Sequence, residues 1–82
     1  QGRKIMLTHT ESIILQSLLL NVGKMVRYDE LANTVWGDTY PLASKALTVY
    51  VRRLRKKIEK DPSHPQAILN KTGVGYILKP VS

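Results

Sequence analysis

The sequence contains no cysteine, which excludes disulfides and thiolate metal sites and fits a reducing, cytoplasmic setting. Long apolar runs are missing as well. Stretches such as Leu18-Leu19-Leu20 are far too short to cross a bilayer, and no signal peptide is visible, so no membrane partner is expected. Catalytic inventory is equally thin. The two histidines stand apart, His9 in a helix cap and His64 between prolines, and no His/carboxylate cluster has catalytic or metal-ligand spacing. Gly73-Val74-Gly75 is too short for a dinucleotide loop and leads into a strand rather than a helix. The sequence therefore points to no enzyme, no cofactor, no metal and no catalytic residue. Internal repeats and low-complexity segments are absent too. Residues 1–82 read as a single domain, expected to be a fragment of a longer protein, because the chain starts without an initiator methionine and ends soon after its last strand signal.

Acidic residues are scarce in one half only. Arg3, Lys4, Lys24 and Arg27 are balanced by Glu11, Asp29, Glu30 and Asp38, so the whole net charge of +7 lies in residues 43–82, where Glu59 and Asp61 stand alone against the lysines and arginines. A two-sided molecule with one polyanion-facing part is implied.

The basic half is organised around the segment 43–60. Leu47, Val51, Leu54 and Ile58 recur at spacings of four, three and four, which at about 3.6 residues per turn draws an apolar stripe along one side of a helix. Steps of about 100° put Lys45, Val49, Arg52 and Lys56 near the opposite side, with Thr48 and Arg53 on the flanks. Lys45, Arg52, Arg53, Arg55, Lys56, Lys57 and Lys60 face only Glu59, so the opposite-charge pairing of an ordinary solvated helix is nearly lacking. Crowded like charges destabilise a helix unless a polyanion offsets them, which favours entry into a nucleic-acid groove over simple solvation.

The rest of the chain frames that helix. Lys4-Ile5-Met6-Leu7 reads as a short strand. Thr8-His9-Thr10-Glu11 has the capping-box spacing, and Ile13, Ile14, Leu15, Leu18, Leu19 and Val22 predict a mostly apolar first helix ending near Asn21–Gly23, the central core helix. Met25-Val26 is a brief extended link. Asp29 to Trp36 predicts a short helix with acids at its N-terminus, Leu31, Val35 and Trp36 turned inward, and Gly37 as its stop. Asp61-Pro62-Ser63-His64-Pro65 ends the basic helix. Ala67–Lys71 and Tyr76–Lys79 form a hairpin through Thr72-Gly73-Val74-Gly75. Three helices followed by a β-hairpin make an α+β domain with the order of a winged helix-turn-helix.

Leu7-Thr8-His9-Thr10-Glu11, Trp36-Gly37, Val51-Arg52-Arg53-Leu54-Arg55-Lys56-Lys57 and Gly73-Val74-Gly75-Tyr76 resemble the motifs of the OmpR/PhoB-type effector domain of bacterial two-component response regulators. The resemblance runs from about Leu7 to Val81. It implies sequence-specific binding of double-stranded DNA, in tandem half-sites, to control transcription, with the helix at about 43–60 in the major groove and the wing at about 68–79 against the minor groove. It implies base contacts by Arg53, Thr48 and Val49, and phosphate contacts by Lys45, Tyr50, Arg52, Arg55, Lys56 and the indole of Trp36. Asn70, Lys71 and Thr72 are the wing residues. The loop Gly37, Asp38, Thr39, Tyr40, Pro41, Leu42, Ala43 and Ser44 corresponds to the one that meets RNA polymerase. The implied context is a phosphorelay, with a receiver domain outside this chain and a cognate histidine kinase. Three departures stand out. Thr72 replaces the arginine usual before the wing glycine, leaving Lys71 as the nearby cation. Tyr28 stands where a basic residue is common. The family's N-terminal sheet is reduced to Lys4–Leu7.

The alternative is a winged helix serving as a protein-interaction or RNA-binding module. Thr48 and Val49 set among arginines favour DNA, because they suit base edges and a thymine methyl in a wide groove that A-form RNA does not offer.

Overall fold

In the computed structural model, which describes residues 5–37 and 43–80, Thr8 opens the first helix, α1 (His9–Leu20), as its spacing predicts. The Thr8 hydroxyl accepts from the Glu11 N–H at 3.2 Å, and the Glu11 carboxylate accepts from the Thr8 N–H at 2.9 Å. Ile14 and Leu18 are fully buried, whereas Leu19, Leu20 and Val22 lie exposed at the far end. The expected strand at Lys4–Leu7 does not form over Ile5–Leu7, and Lys4 lies outside the described residues. With no partner strand beside it, the Met6 carbonyl instead accepts from Lys57 Nζ at 2.8 Å.

Met25-Val26 is more than a link: β1 (Met25–Arg27) is a true strand. It leads directly into α2 (Tyr28–Trp36), which starts one residue earlier than expected and ends at Gly37, whose φ of 77° suits glycine. Arg27 offers no capping oxygen, so Glu30 supplies the box from the other side by accepting from the Arg27 N–H at 3.1 Å. The long basic helix, α3 (Ala43–Ile58), is followed by β2 (Ile68–Lys71) and β3 (Gly75–Leu78). These strands form an antiparallel three-stranded sheet in the order β1-β3-β2, so the hairpin is completed by a strand from the first half of the chain. Gly75 makes this possible: a Cβ there would lie 2.1 Å from the Val26 carbonyl oxygen.

The core collects Ile14 and Leu18 from α1, Leu31 from α2, Leu47, Val51 and Leu54 from α3, and Val26, Ile68, Tyr76 and Leu78 from the sheet. Each fully buried leucine or isoleucine contributes about 1.5–3 kcal/mol. Two carboxylates clamp the C-terminal end of α3 to this core. Glu11, only 1 % exposed, takes Lys57 Nζ at 2.6 Å. Glu59 accepts the backbone N–H groups of Gln66, Ala67 and Ile68 at 2.9, 3.1 and 2.8 Å, closing the proline loop onto β2.

Candidate nucleic-acid interface

The apolar stripe of α3 points inward as its periodicity requires: Leu47, Val51 and Leu54 are buried and Ile58 packs against the core. The opposite side is consequently turned to solvent. Lys45, Thr48, Val49, Arg52, Arg53 and Lys56 are all exposed and share one face. Among these residues there is no carboxylate, so the face combines four cations with a hydroxyl and two methyl-bearing side chains.

Aromatic groups support one flank. The Arg53 guanidinium sits 5.4 Å from the centre of the Tyr50 ring, which itself packs against Trp36 at 5.8 Å with an interplanar angle of 49°. Trp36 and Tyr50 are half-buried and packed against the core, so both expected contact residues also carry structural weight. The other flank is a cleft of about 320 Å³ between α3 and the proline loop, lined by Thr48, Arg52, Arg55, Lys56, Pro62 and Ser63. Three cations and two hydroxyls around a recess of this kind suit an anionic oxygen group.

Arg55 does not share the exposed face. Its guanidinium donates to the Ile68 carbonyl from Nε at 3.2 Å and Nη2 at 2.8 Å, and lies 5.6 Å from the Tyr76 ring. The reason is angular: Arg55 is one 100° step from buried Leu54, which swings it toward β2. It fastens helix to wing before it meets any ligand.

The wing turns at Gly73, whose φ is 80°. Asn70, Lys71 and Thr72 are exposed there. What the sequence did not disclose is how the wing is held. The Tyr28 hydroxyl lies 2.5 Å from Asn70 Oδ1 and 3.1 Å from the Lys71 carbonyl oxygen, and its ring meets Tyr76 edge-on at 5.3 Å. The Tyr28 N–H donates to the Val74 carbonyl at 3.1 Å. Burial pushes the Tyr76 hydroxyl up from its ordinary value, against a hydrogen bond with the Thr48 side chain that draws it down. Wing and recognition face therefore meet at Tyr76. No sequence pattern couples positions this far apart. Of the loop expected to meet polymerase, residues 38–42 lie outside the described residues, as do the side chains of Ala43 and Ser44.

Among the described residues no group of three or more His, Cys, Asp or Glu side chains is placed to hold a metal ion, and no helix is long and apolar enough to cross a membrane.

Comparison with known proteins agrees with this geometry. A family described as "Transcriptional regulatory protein, C terminal" matches residues 2–78. Over 75 residues the chain is 44% identical to the transcriptional regulatory protein KdpE of Mycobacterium tuberculosis, covering 92% of this chain and 33% of that protein. The chain thus spans about a third of the length of the curated relatives it matches. The response regulator DrrB of Thermotoga maritima, an OmpR/PhoB homologue, superposes with a TM-score of 0.85 at 37% identity, over 96% of this chain and 36% of that one. The RstA DNA-binding domain of Klebsiella pneumoniae, solved in complex with the RstA box, superposes with a TM-score of 0.85 at 26% identity, over 98% of this chain and 79% of that one. With its three helices and three-stranded sheet, the chain belongs to the OmpR/PhoB-type family of C-terminal, winged-helix DNA-binding domains of transcriptional regulatory proteins.

Proposed function

We propose that this domain reads double-stranded DNA by inserting the outer face of α3 into the major groove, with the β2–β3 wing against the neighbouring minor groove. The observation that carries the reading is the acid-free exposed face itself: Lys45, Thr48, Val49, Arg52, Arg53 and Lys56 on one side of a helix whose other side is buried. Arg53, steadied over Tyr50, is the base-reading arginine, and Thr48 and Val49 supply a hydroxyl and methyl groups for base edges. Lys45, Arg52 and Lys56 meet phosphates, joined by Lys71 on the wing, with Trp36 and Tyr50 at the margin. Arg55 reaches DNA only through the part of its guanidinium that the Ile68 carbonyl leaves over.

Within a full-length regulator, this domain is the output of a phosphorelay, answering to a receiver domain and a histidine kinase in the cytoplasm. It occupies tandem half-sites and presents the loop 37–44 to RNA polymerase. The family resemblance supports this context, and the RstA complex with its box supports the DNA-binding part of it. A protein-binding role for the same face is disfavoured by its lack of any carboxylate or large apolar anchor.

A salt titration of binding to duplex DNA tests the proposal. Four exposed phosphate-facing cations predict that log K falls with log salt at a slope of about −3 to −4. A slope near zero, or equal affinity for an RNA duplex of the same sequence, overturns it.

A further inference from the structure

Tyr28, at the start of α2, is bound to the wing. A phenol carries a single proton, and two oxygens compete for it: Asn70 Oδ1 at 2.5 Å and the Lys71 carbonyl at 3.1 Å. The short contact lies within the O–H···O range and below that of N–H···O bonds, so the amide oxygen, not the nitrogen, faces Tyr28. That orientation commits the only acceptor of the Asn70 side chain. Its Nδ2 then points away from Tyr28 with two N–H donors, and among the described residues they have no partner.

The position of Asn70 decides what those donors meet. Asn70 is paired across the sheet with Tyr76, whose hydroxyl bonds to Thr48 on the outward face of α3. Asn70 therefore sits one residue pair below the turn at Gly73, on the side of the wing tied through Tyr76 to the helix. A helix in the major groove and a wing tip at the next minor groove straddle the sugar–phosphate strand that separates the two grooves. Phosphate oxygens only accept hydrogen bonds, so a side chain reduced to its donors matches them.

We infer that Tyr28 is a positioning residue that turns Asn70 into a neutral, donor-only contact for the backbone phosphate lying between the recognition helix and the wing. The inference rests on the DNA-binding mode proposed above. It carries a signature that a cation in the same place lacks. An uncharged amide neutralises no phosphate and releases no counterion, so its loss weakens binding to every sequence without changing the salt slope.

Because a phosphate contact is indifferent to sequence, a mixed-sequence duplex suffices as the probe. Affinity across a salt series is measured for the wild-type domain, Tyr28→Phe, Asn70→Ala and the double variant, with thermal melts to verify that each is folded. Tyr28→Phe and Asn70→Ala are each expected to weaken binding by about threefold to tenfold, as the loss of one hydrogen bond implies. The slope stays that of wild type, and the double variant matches Asn70→Ala alone. Asn70→Asp, which keeps the size but offers only acceptors and a negative charge, weakens binding further than Asn70→Ala. Lys71→Ala provides the contrast, flattening the slope by about one unit. A wild-type domain that binds no duplex overturns the DNA reading and this inference with it. Where wild type binds, the inference alone falls if Tyr28→Phe binds like wild type, if it changes the slope, or if it loses as much affinity in the Asn70→Ala background as on its own, since that last result makes Tyr28 a mere brace for the wing.

Discussion

Helix α3 and the wing both turn polar groups outward but hold them by different means. On α3, each exposed side chain is placed by helical period: once Leu47, Val51 and Leu54 are buried, Lys45, Val49 and Arg52 have nowhere to point but outward. On the wing, placement depends on partners far along the chain. Asn70 and Lys71 are held by Tyr28, which is 42 and 43 positions away, and β3 is braced by β1 from the opposite half. The helix is charged and locally determined, while the wing is nearly neutral and determined by tertiary contact. Changes to the α3 stripe should therefore damage the fold as a whole, and changes to its outer face should leave the fold intact.

Truncation in the stripe tests the first half of that contrast most severely. Leu54 is fully buried at the centre of the core, so Leu54→Ala is expected to cost about 2–5 kcal/mol, enough to unfold much of a domain this small. Chemical denaturation measures it. A loss below half a kcal/mol would mean that the helix is rotated differently from its burial.

The joint between the two regions is the next place to break. Glu59 accepts three backbone N–H groups at and just before the start of β2, and Glu59→Ala leaves them without that acceptor, at a cost of about 1.5–3 kcal/mol. Acid should reproduce part of this effect in the unmodified protein. Burial pushes the Glu59 carboxyl up, but the N–H groups of Ile68, Gln66 and Ala67 and the charge of Arg55 hold it below its ordinary value of 4.5. Burial likewise pushes Glu11 up, and the Lys57 ammonium and the Thr8 cap hold it below the same value. A carboxyl with a lowered folded value binds its proton more weakly folded than unfolded. Its stabilisation is therefore complete above the unfolded value and drains away as the pH falls through the folded one. Melting temperature should be level near neutrality and fall below about pH 4.5, with a smaller drop in Glu59→Ala. An acid drop of equal size in that variant would remove Glu59 from the account.

What was legible in the sequence follows the same division. The stripe of α3, the capping box at Thr8 and the stop at Gly37 are local patterns, and each appears in the fold where its spacing puts it. Met25-Val26 was ambiguous because a three-residue strand has no period to read, and only its pairing with Ile77 and Tyr76 makes it one. Lys4–Leu7 shows the reverse: strand-like residues without a neighbour give no strand over Ile5–Leu7. Charge is visible in a sequence and puts Arg55 among the phosphate cations, whereas the Ile68 carbonyl that engages it is not visible there. Tyr28 holds the wing through contacts that no local pattern announces.

The finest test of the contrast stays on the helix and asks whether two neighbouring arginines do different work. Arg52 and Arg53 are both exposed, but one 100° step separates them. Arg52 lines the cleft with Lys56 and Ser63, whereas Arg53 lies on the other flank, its guanidinium 5.4 Å from the centre of the Tyr50 ring. A guanidinium held against a ring by a cation–π contact loses less freedom when DNA arrives, which favours the bidentate grip on guanine O6 and N7 that carries about 1–3 kcal/mol of discrimination. A phosphate contact weakens all sequences alike. Arg53→Ala is therefore expected to relax preference at one base pair of a site selected from a random DNA pool, with much less effect on non-specific binding. Arg52→Ala is expected to lower specific and non-specific affinity together and to flatten the salt slope by about one unit. Tyr50→Leu, which removes the ring beneath Arg53 but keeps an apolar side chain, should move the protein part of the way toward Arg53→Ala and leave the slope unchanged. Equal ratios of specific to non-specific affinity in the two arginine variants would mean that the outer face of α3 acts as an undivided cationic surface and that base reading resides elsewhere.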